Sequence, residues 1–396
     1  MEELLVVAGE ASGDRAAAAV LARLTEMGAP LRAFGLGGAA LAASGMELVT
    51  DLRHTTALGV GEVARRAWDI ALGHRRLMQA LGRRKPRVAL LVNYSEYNAR
   101  LAPSLRARDI RVLWYGAPQI WAWRPGRARI LRRSVDRMAV MLPFEEPLWR
   151  DQGVDAHYVG HPAREGVVMH RELARTHLGL TPLAACVAIM PGSRPHEVMS
   201  LLRPMLEGFD RVRRDRASVD GRVLLASSLD PRTRADATLL ARSMHVPVYE
   251  VDAQLGATSV LEAFDATLCA SGTAALEATL ARAVPIVAYR VGLATELAAR
   301  VFLGTPNVAL PNVLLGRRAF AELLQREVQP KRFAQELARA LDGRRELLLA
   351  CDEVETILGA ARTPSQEVAR MLVPWLAREP WRERAATASA ASAGAA

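Results

Sequence analysis

The sequence predicts an α/β protein made of two Rossmann-like domains with a cleft between them. Short aliphatic and β-branched runs alternate with helix-length segments, a pattern typical of parallel sheets covered by helices on both faces. Two of these runs, one near the start of each half, lead through a Gly-Ser corner into a helix: VVAGEASGD and VAIMPGSRPHEV. The length of 396 residues also exceeds what one hydrophobic core usually serves.

Strand-like runs define the order of the elements. The first half contains ELLVVA, LRAFGL, RVALLV, RVLWYG, RMAVML and AHYVG, and the second half contains CVAIM, RVLLA, VPVYEV, ATLCA and PIVAYR. We expect a first domain over residues 1–165, a linker over 166–184 and a second domain over 185–345. Helices over 346–382 follow, for which packing on the first domain is left open, and the low-complexity end at 383–396 predicts a disordered tail.

Cysteine usage and hydropathy predict the compartment. Cys186, Cys269 and Cys351 lie far apart, without C-x-x-C or metal-ligand spacing, which favours a reducing environment over a disulfide framework. The first residues lack the basic region of a signal peptide, and no apolar run is long enough to span a membrane. We therefore expect a cytoplasmic protein.

Arginine-rich segments give the chain a formal net charge of +10, from 52 Lys and Arg against 42 Asp and Glu. One basic segment, at residues 62–85, places apolar side chains at roughly helical spacing, as in a helix that lies on an acidic membrane surface. The other, at 121–137, sets Trp121 and Trp123 beside several arginines. Solvated helix faces are the alternative for both segments, and nucleic acid is disfavoured because no recognition motif accompanies the charge.

Two corners in the second half have the composition of an anion site. The Gly-Ser pair of PGSR allows close backbone approach, and Arg194 places a guanidinium at a helix start, which suits a diphosphate. The corner SGT opens another helix whose first amides and dipole would attract phosphate, and Glu277, one turn further, could accept both hydroxyls of a ribose. An ordinary capped helix is the alternative for each corner. The residues concerned are Gly192, Ser193, Arg194, Ser271, Gly272, Thr273 and Glu277.

An anion-holding cleft without a metal motif favours glycosyl transfer from a nucleoside diphosphate sugar. The leaving diphosphate gains charge in the transition state, and a cation or fixed dipoles must stabilise it. The chain lacks the D-x-D motif through which one class of transferases binds a divalent metal, so we expect neither a metal nor another cofactor. His157 and His161 span a strand end, which favours structural contacts over metal binding, and His161 could touch a substrate. A carboxylate or His of the opposite domain would act as the base.

A series of motifs resembles, in order, those of the lipid-A-disaccharide synthase family. They are VVAGEASGD, FGLGG, ALGVGEV, APQIWAWR, LPFEEPLWR, YVGHP, MPGSRPHEV, ASGTAALEATL and LPNVLLGRRAFAELLQ, and they cover about residues 4–330. The resemblance implies an inverting glycosyltransferase of the GT-B type. It also implies that 2,3-diacylglucosamine passes from UDP to the 6-hydroxyl of 2,3-diacylglucosamine 1-phosphate, which forms a β-1,6-linked tetraacyl disaccharide 1-phosphate, a lipid A precursor.

The resemblance implies roles for individual residues. The anion-site residues above would hold UDP together with Asn312 of LPN, and the corner around Glu10 would face the nucleotide across the cleft. Because both substrates are lipids, the basic segments become candidates for peripheral contact with the inner membrane of a Gram-negative bacterium. A homodimer is left open. The residues assigned to the acceptor side are Ser12, Asp14, Trp121 and Arg124.

One segment departs from the family pattern. Where the family usually has I-D-A-P-D-F-N, this chain has VNYSEYN, so Asn93 replaces a catalytic Asp and Glu96 replaces the second Asp. An amide cannot accept a proton as that base would. Our hypothesis is that Glu96 reaches the acceptor hydroxyl, with Glu10 as the other available carboxylate. Two alternatives stay open: a paralogue that binds UDP-sugar or acylated glucosamine without transfer, and an enzyme of related fold such as a UDP-N-acetylglucosamine 2-epimerase.

Overall fold

The computed structural model describes residues 2–29, 31–51, 60–121, 126, 128–216, 218–290, 307–360 and 362–377, and for residues 60–69 it describes the backbone alone. Within these ranges the chain forms two parallel β-sheets with helices packed against them. The predicted fold class, two Rossmann-like domains, is confirmed.

The first sheet has seven described strands, which are β1 (Glu2–Ala8), β2 (Leu31–Gly37), β3 (Glu47–Asp51), β4 (Val88–Val92), β5 (Arg111–Tyr115), β6 (Arg137–Val140) and β7 (Ala156–Tyr158). Their spatial order is β3-β2-β1-β4-β5-β6-β7. The helices between them are α1 (Ala11–Glu26), α2 (Ala39–Ala43), α3 (Val60–Arg84), α4 (Ser95–Arg106), α5 (Ala128–Ser134) and α6 (Glu145–Asp151). The order reverses between β1 and β4, and the ends of these strands therefore border a ligand crevice.

The second sheet has six described strands, which are β8 (Ala185–Met190), β9 (Val219–Leu225), β10 (Val248–Glu250), β11 (Ala266–Ala270), β12 (Val284–Tyr289) and β13 (Glu322–Leu324). Their spatial order is β10-β9-β8-β11-β12-β13, with the reversal between β8 and β11. The helices are α7 (Arg171–Leu178), α8 (Pro195–Asp215), α9 (Pro231–Ser243), α10 (Thr273–Leu280), α11 (Leu310–Leu315), α12 (Pro330–Asp342), α13 (Arg344–Ile357) and α14 (Pro364–Leu376).

Strand β1 shows why the aliphatic runs become central strands. Leu5 and Val7 pack in a core with α3, α4 and α5, whereas Leu4 and Val6 pack in a second core with α1 and α14. Successive strand side chains point to opposite faces, so helices on both faces require an aliphatic residue at almost every position. This is the pattern from which the parallel sheets were predicted.

Two edge strands were missed by the sequence analysis. All the predicted runs form strands, but β3 and β13 have no such run. Strand β3 lies at the edge of the first sheet and is mostly half-buried, and β13 has three residues, one of which is the buried Glu322. A short edge strand pairs on one side only, and its side chains carry too little apolar pattern to be recognised.

The C-terminal helices divide between the two domains. Helix α13 packs in the core of the second domain through Ala350, Cys351 and Val354, whereas α14 packs beside α1 in the first domain. Of the helices predicted at 346–382, for which the sequence leaves packing on the first domain open, α14 packs there and α13 packs on the second domain, because their apolar faces meet different sheets. Residues 378–396, which include the predicted tail, lie outside the described residues.

The chain passes between the domains twice, and the two crossings are hydrogen-bonded to each other. The Tyr158 hydroxyl donates to the Leu358 carbonyl at 2.8 Å, and the Ser365 hydroxyl donates to the Glu165 carboxylate at 2.7 Å. Within the predicted linker, α7 packs on the second domain through Ala174 and Leu178. These hydrogen bonds join the C-terminal crossing to the first one.

Candidate active site

A cleft of about 1070 Å³ lies between the domains. The carboxyl ends of strands from both sheets border this cleft, and this is the edge of the sheet at which parallel α/β folds bind ligands. The predicted residues that line it are Glu10, Ser12, Asn93, Glu96, Trp121, Gly192, Ser193, Arg194, Ser271, Gly272, Thr273 and Glu277. Strand register explains this grouping, since Ala8 pairs with Val92 in the first sheet and Met190 pairs with Cys269 in the second.

The PGSR corner presents a side chain rather than backbone amides to the cleft. The backbone N–H groups of Ser193 and Arg194 both donate to the carboxylate of Glu197, at 3.1 and 3.2 Å. Gly192 has φ +120°, and a Cβ atom there would lie 2.3 Å from the same carboxylate. The capped-helix alternative thus holds for this helix start. The guanidinium of Arg194, with a side chain 54% exposed, is the group left for an anion.

The SGT corner is arranged differently. Gly272 is the N-cap residue of α10, with φ 149°, and it has no side chain to compete for the first amides of the helix. A Cβ atom at Gly272 would meet nothing within 4 Å, so the corner is open on the cleft side. The first amides and the dipole of α10 are therefore available to a phosphate.

Glu277 lies inside α10 at the floor of the cleft and is 8% exposed. Burial raises the pKa of its carboxyl group, and the positive charge of Arg15 acts in the opposite direction. The Arg15 guanidinium reaches it from the first domain, with 3.7 Å between Nη2 and Oε1. The carboxylate predicted to hold a ribose is thus paired across the cleft.

The first-domain corner separates two acidic residues that the sequence analysis had grouped. Glu10 faces the cleft, and its carboxylate lies 2.7 Å from the guanidinium of Arg194. Asp14 is 4% exposed, and its carboxylate accepts hydrogen bonds from the backbone N–H groups of Gly38 and Ala40 at 2.6 and 2.9 Å. Asp14 caps the start of α2 and does not line the cleft, which corrects its placement on the acceptor side.

Asn312 is also a structural residue. It is fully buried, its side-chain N–H groups donate to the Phe320 carbonyl and the Glu322 carboxylate at 2.9 and 2.8 Å, and its oxygen accepts from the N–H of Phe320. These bonds fix the turn between α11 and β13 and use the amide group within the protein. Asn312 does not line the cleft, so its predicted contact with UDP is not supported.

The segment VNYSEYN, which differs from the family pattern, forms a sharp turn at the carboxyl end of β4. Asn93 and Tyr94 both adopt left-handed backbone conformations, with φ 49° and 46°. Glycines make room for them: a Cβ atom at Gly9 would overlap the Tyr94 ring, and one at Gly116 would lie 2.0 Å from Asn93 Oδ1. Glu96, exposed in the first turn of α4, follows on the cleft wall.

Trp121 lies on the first-domain wall and is anchored by a residue that the sequence analysis missed. Its indole N–H donates to the carboxylate of Glu145 at 3.2 Å, and its ring packs edge-on against Phe144. Glu145 is 2% exposed, and burial raises the pKa of its carboxyl group to about 7, against hydrogen bonds from Trp121 and the Leu142 backbone. The motif LPFEE was visible in the sequence, but only packing shows which Glu is buried.

His161 lines the cleft and is 4% exposed. Burial lowers the pKa of its imidazole to about 4, so the ring is neutral at pH 7. Its Nδ1 accepts a hydrogen bond from the Ala163 N–H at 3.1 Å, which leaves the proton on Nε2. His157, by contrast, pairs with Asp155 on the surface, so the two histidines do not form a joint site.

Three further expectations, on Arg124, on metal binding and on membrane-spanning helices, concern what the described residues include. Arg124 lies outside the described residues. Among the described residues, no group of three or more His, Cys, Asp or Glu side chains could hold a metal ion. No helix in the described ranges combines the length and the apolar character needed to cross a membrane.

The two-domain architecture is shared with solved structures of low sequence identity. A putative UDP-N-acetylglucosamine 2-epimerase from Listeria monocytogenes is similar with a TM-score of 0.62 at 11% identity, covering 94% of each chain. The calicheamicin glycosyltransferase CalG4 is similar with a TM-score of 0.56 at 14% identity, covering 96% of this chain and 99% of its own. The two parallel-sheet domains and the cleft at the strand ends therefore define the GT-B fold.

Sequence similarity shows the family within this class. A family model described as lipid-A-disaccharide synthetase matches residues 4–373. A lipid-A-disaccharide synthase from Myxococcus xanthus is 41% identical over 379 residues, which covers 94% of this chain and 98% of the relative. The chain belongs to the lipid-A-disaccharide synthase family and is a glycosyltransferase, as the motif resemblance implied.

Proposed function

We propose that the enzyme transfers 2,3-diacylglucosamine from UDP to the 6-hydroxyl of 2,3-diacylglucosamine 1-phosphate. The observation that carries this proposal is the division of the cleft. One wall presents Arg194, the open start of α10 and Glu277, and the opposite wall presents Glu10 and Glu96. On the second-domain wall, Arg194 and the amides suit a diphosphate leaving group and Glu277 suits the ribose, while the carboxylates Glu10 and Glu96 of the opposite wall suit an acceptor hydroxyl.

The donor would bind on the second-domain wall. The guanidinium of Arg194 and the first amides of α10 are the groups that can neutralise charge on the diphosphate as it leaves. The carboxylate of Glu277 would accept hydrogen bonds from the ribose hydroxyls. In the transfer, the acceptor oxygen forms a bond to the anomeric carbon of the donor. The bond from that carbon to the phosphate oxygen breaks, and its electron pair stays with UDP.

The acceptor hydroxyl must lose a proton, and Glu96 is the proposed base. Asn93 stands where the family has a catalytic Asp, but an amide does not take up a proton in this role. Glu10, which lies 2.7 Å from Arg194 in this structure, is the second candidate, because a bound diphosphate would compete with it for that guanidinium. Glu96 is exposed on the cleft wall, and its side chain is one carbon longer than that of Asp.

Basic surfaces of the first domain would hold the enzyme at the cytoplasmic face of the inner membrane. On α3, the exposed residues Arg75, Arg76 and Arg83 accompany Leu72, whose exposure is 36%. On α5, Ile130 is 54% exposed next to the exposed Arg129. Arginines around exposed aliphatic side chains suit a surface that meets anionic headgroups and acyl chains together.

The test is product formation with both lipid substrates. Purified enzyme is incubated with UDP-2,3-diacylglucosamine and 2,3-diacylglucosamine 1-phosphate, and UDP and disaccharide are quantified by mass spectrometry. We expect equal amounts of the two products, and UDP release only when the acceptor is present. UDP release without the acceptor would contradict the proposal.

The variant Asn93→Asp distinguishes transfer from binding without transfer. If the unmodified enzyme forms disaccharide, the base lies elsewhere than at position 93. If only the variant Asn93→Asp forms disaccharide, the natural chain binds the substrates without joining them. That outcome would support the alternative of a paralogue that binds without transfer.

A further inference from the structure

A cation of the first domain reaches the nucleoside side of the cleft. Arg15 lies in α1, and its guanidinium crosses to the second domain, where Nη2 lies 3.7 Å from Oε1 of Glu277. The side chain of Arg15 is 24% exposed and that of Glu277 is 10% exposed, so the pair is largely shielded from water. Coulomb interactions between such partly buried groups are screened less than those on the surface.

A second contact holds the guanidinium in place. Gly256 lies in a turn of the second domain with φ +72°, and a Cβ atom there would lie 2.9 Å from both Cζ and Nε of Arg15. The planar group therefore rests against the backbone of this turn, just before the 3-10 helix Ala257–Ser259. Arg15 belongs to the first domain by sequence, yet both of these contacts are with the second domain.

The geometry leaves the carboxylate able to bind a ligand. A separation of 3.7 Å is longer than a hydrogen bond, so Arg15 supplies charge to Glu277 without using a lone pair of Oε1. Burial raises the pKa of Glu277 and the positive charge of Arg15 opposes that shift, which favours the ionised carboxylate, the stronger acceptor of hydrogen bonds. Arg15 thus favours the form of Glu277 that can receive two hydroxyl donors.

We propose that Arg15 is a positioning residue for the donor nucleotide, which supplies the counter-charge of the Glu277 carboxylate and orients it toward the nucleoside hydroxyls. The proposal rests on the proposed function, in which Glu277 binds the ribose. It adds that the nucleotide site is built from both domains, because the ribose carboxylate comes from one and its counter-charge from the other. Donor affinity therefore depends on the two domains being closed on each other.

Isothermal titration calorimetry with UDP on the full-length enzyme tests this proposal. We expect Arg15→Gln to weaken UDP binding about tenfold, the effect of losing one charge-assisted interaction. Arg15→Lys should restore part of the affinity, because it returns the charge. In a Glu277→Gln background, Arg15→Gln should have little further effect, since the group on which Arg15 acts is gone. Arg203→Gln, which removes an exposed arginine paired with Glu207 on α8, is the matched control.

Steady-state kinetics separates positioning from general damage. Arg15→Gln should raise KM for the UDP-sugar by a factor similar to the loss in UDP affinity, while kcat stays within about twofold, because the contact is made equally in the ground and transition states. A purely structural loss would lower kcat as well, and it would not respond to Arg15→Lys.

The outcomes separate this inference from the function on which it rests. If Glu277→Gln weakens UDP binding and Arg15→Gln does not, the role of Arg15 is wrong and the donor site stands. If neither Glu277→Gln nor Arg194→Ala weakens UDP binding, the proposed donor site itself is wrong. Additive effects of Arg15→Gln and Glu277→Gln would also overturn the inference, because they would show that the two residues act independently.

Discussion

The guanidinium of Arg194 lies 2.7 Å from the carboxylate of Glu10, so the cation proposed for the donor diphosphate is paired with a residue of the opposite domain. The two side chains are 54% and 45% exposed, and exposed ion pairs of this kind contribute about 1 kcal/mol at most. A diphosphate with two charges can therefore displace Glu10 from Arg194. When it does, the Glu10 carboxylate is released into the cleft.

Replacing Glu10 should strengthen nucleotide binding. Glu10→Gln removes the competitor for Arg194, and we expect UDP affinity to rise by up to about fivefold, the equivalent of about 1 kcal/mol. Calorimetry with UDP measures the change, and Arg194→Lys in the same background should abolish the gain because Lys lacks the two-pronged geometry for phosphate. Weaker UDP binding by Glu10→Gln would show that Glu10 supports the donor instead of competing with it.

Replacing Glu96 should remove turnover and leave nucleotide binding intact. Glu96→Gln keeps the size of the side chain but cannot take the proton, and the loss of a general base lowers kcat by about 100- to 10,000-fold. Disaccharide formation and UDP affinity are measured on the same preparation. Full turnover by Glu96→Gln would exclude Glu96 as the base, and Glu10→Gln would then be the variant to assay.

Glu145 should make the stability of the first domain depend on pH. Its pKa is about 7 in the folded protein and near 4.5 when unfolded, so the folded state binds the proton more tightly. The protonated Glu145 therefore adds to the free energy of unfolding. Its contribution is fully present below about pH 4.5 and is lost as the pH rises through 7, a change of about 3 kcal/mol.

Thermal unfolding of Glu145→Gln between pH 5 and 8 measures this effect. The variant loses one hydrogen-bond acceptor at every pH, but its Tm relative to the unmodified enzyme should rise as the pH increases. Glu207→Gln, on the exposed side of α8, is the control and should show no such trend. An unchanged difference in Tm across the range would contradict the assignment of a proton to Glu145 at low pH.

Removing charge from α3 should weaken membrane binding. We expect the double variant Arg75→Gln and Arg76→Gln to lose about 2 kcal/mol of affinity for vesicles with anionic lipid, because each basic residue near such a surface contributes about 1 kcal/mol. Co-sedimentation with anionic and neutral vesicles measures the loss. Substitution of Arg203 and Arg211, two exposed arginines of α8 in the second domain, is the matched control. Equal losses in both double variants would indicate that net charge alone matters.

The sequence by itself determined the fold class, the central strands and the corners that line the cleft. Parallel strands buried on both faces need aliphatic residues at almost every position, and corners that open helices need small residues, so both leave a local signature. For this reason Arg194, the SGT corner and Glu277 could be selected from the sequence, and all of them line the cleft. The same signature is too weak in the edge strands β3 and β13.

Only the tertiary structure decided which polar residues face the cleft and which hold the framework. Asp14 and Asn312 belong to the same motifs as residues that line the cleft, but one caps α2 and the other fixes a turn. The partnerships of Glu10 with Arg194 and of Arg15 with Glu277 join residues more than 180 positions apart. Such pairs depend on how the two domains pack against each other, and no local pattern along the chain encodes which residues become neighbours in space.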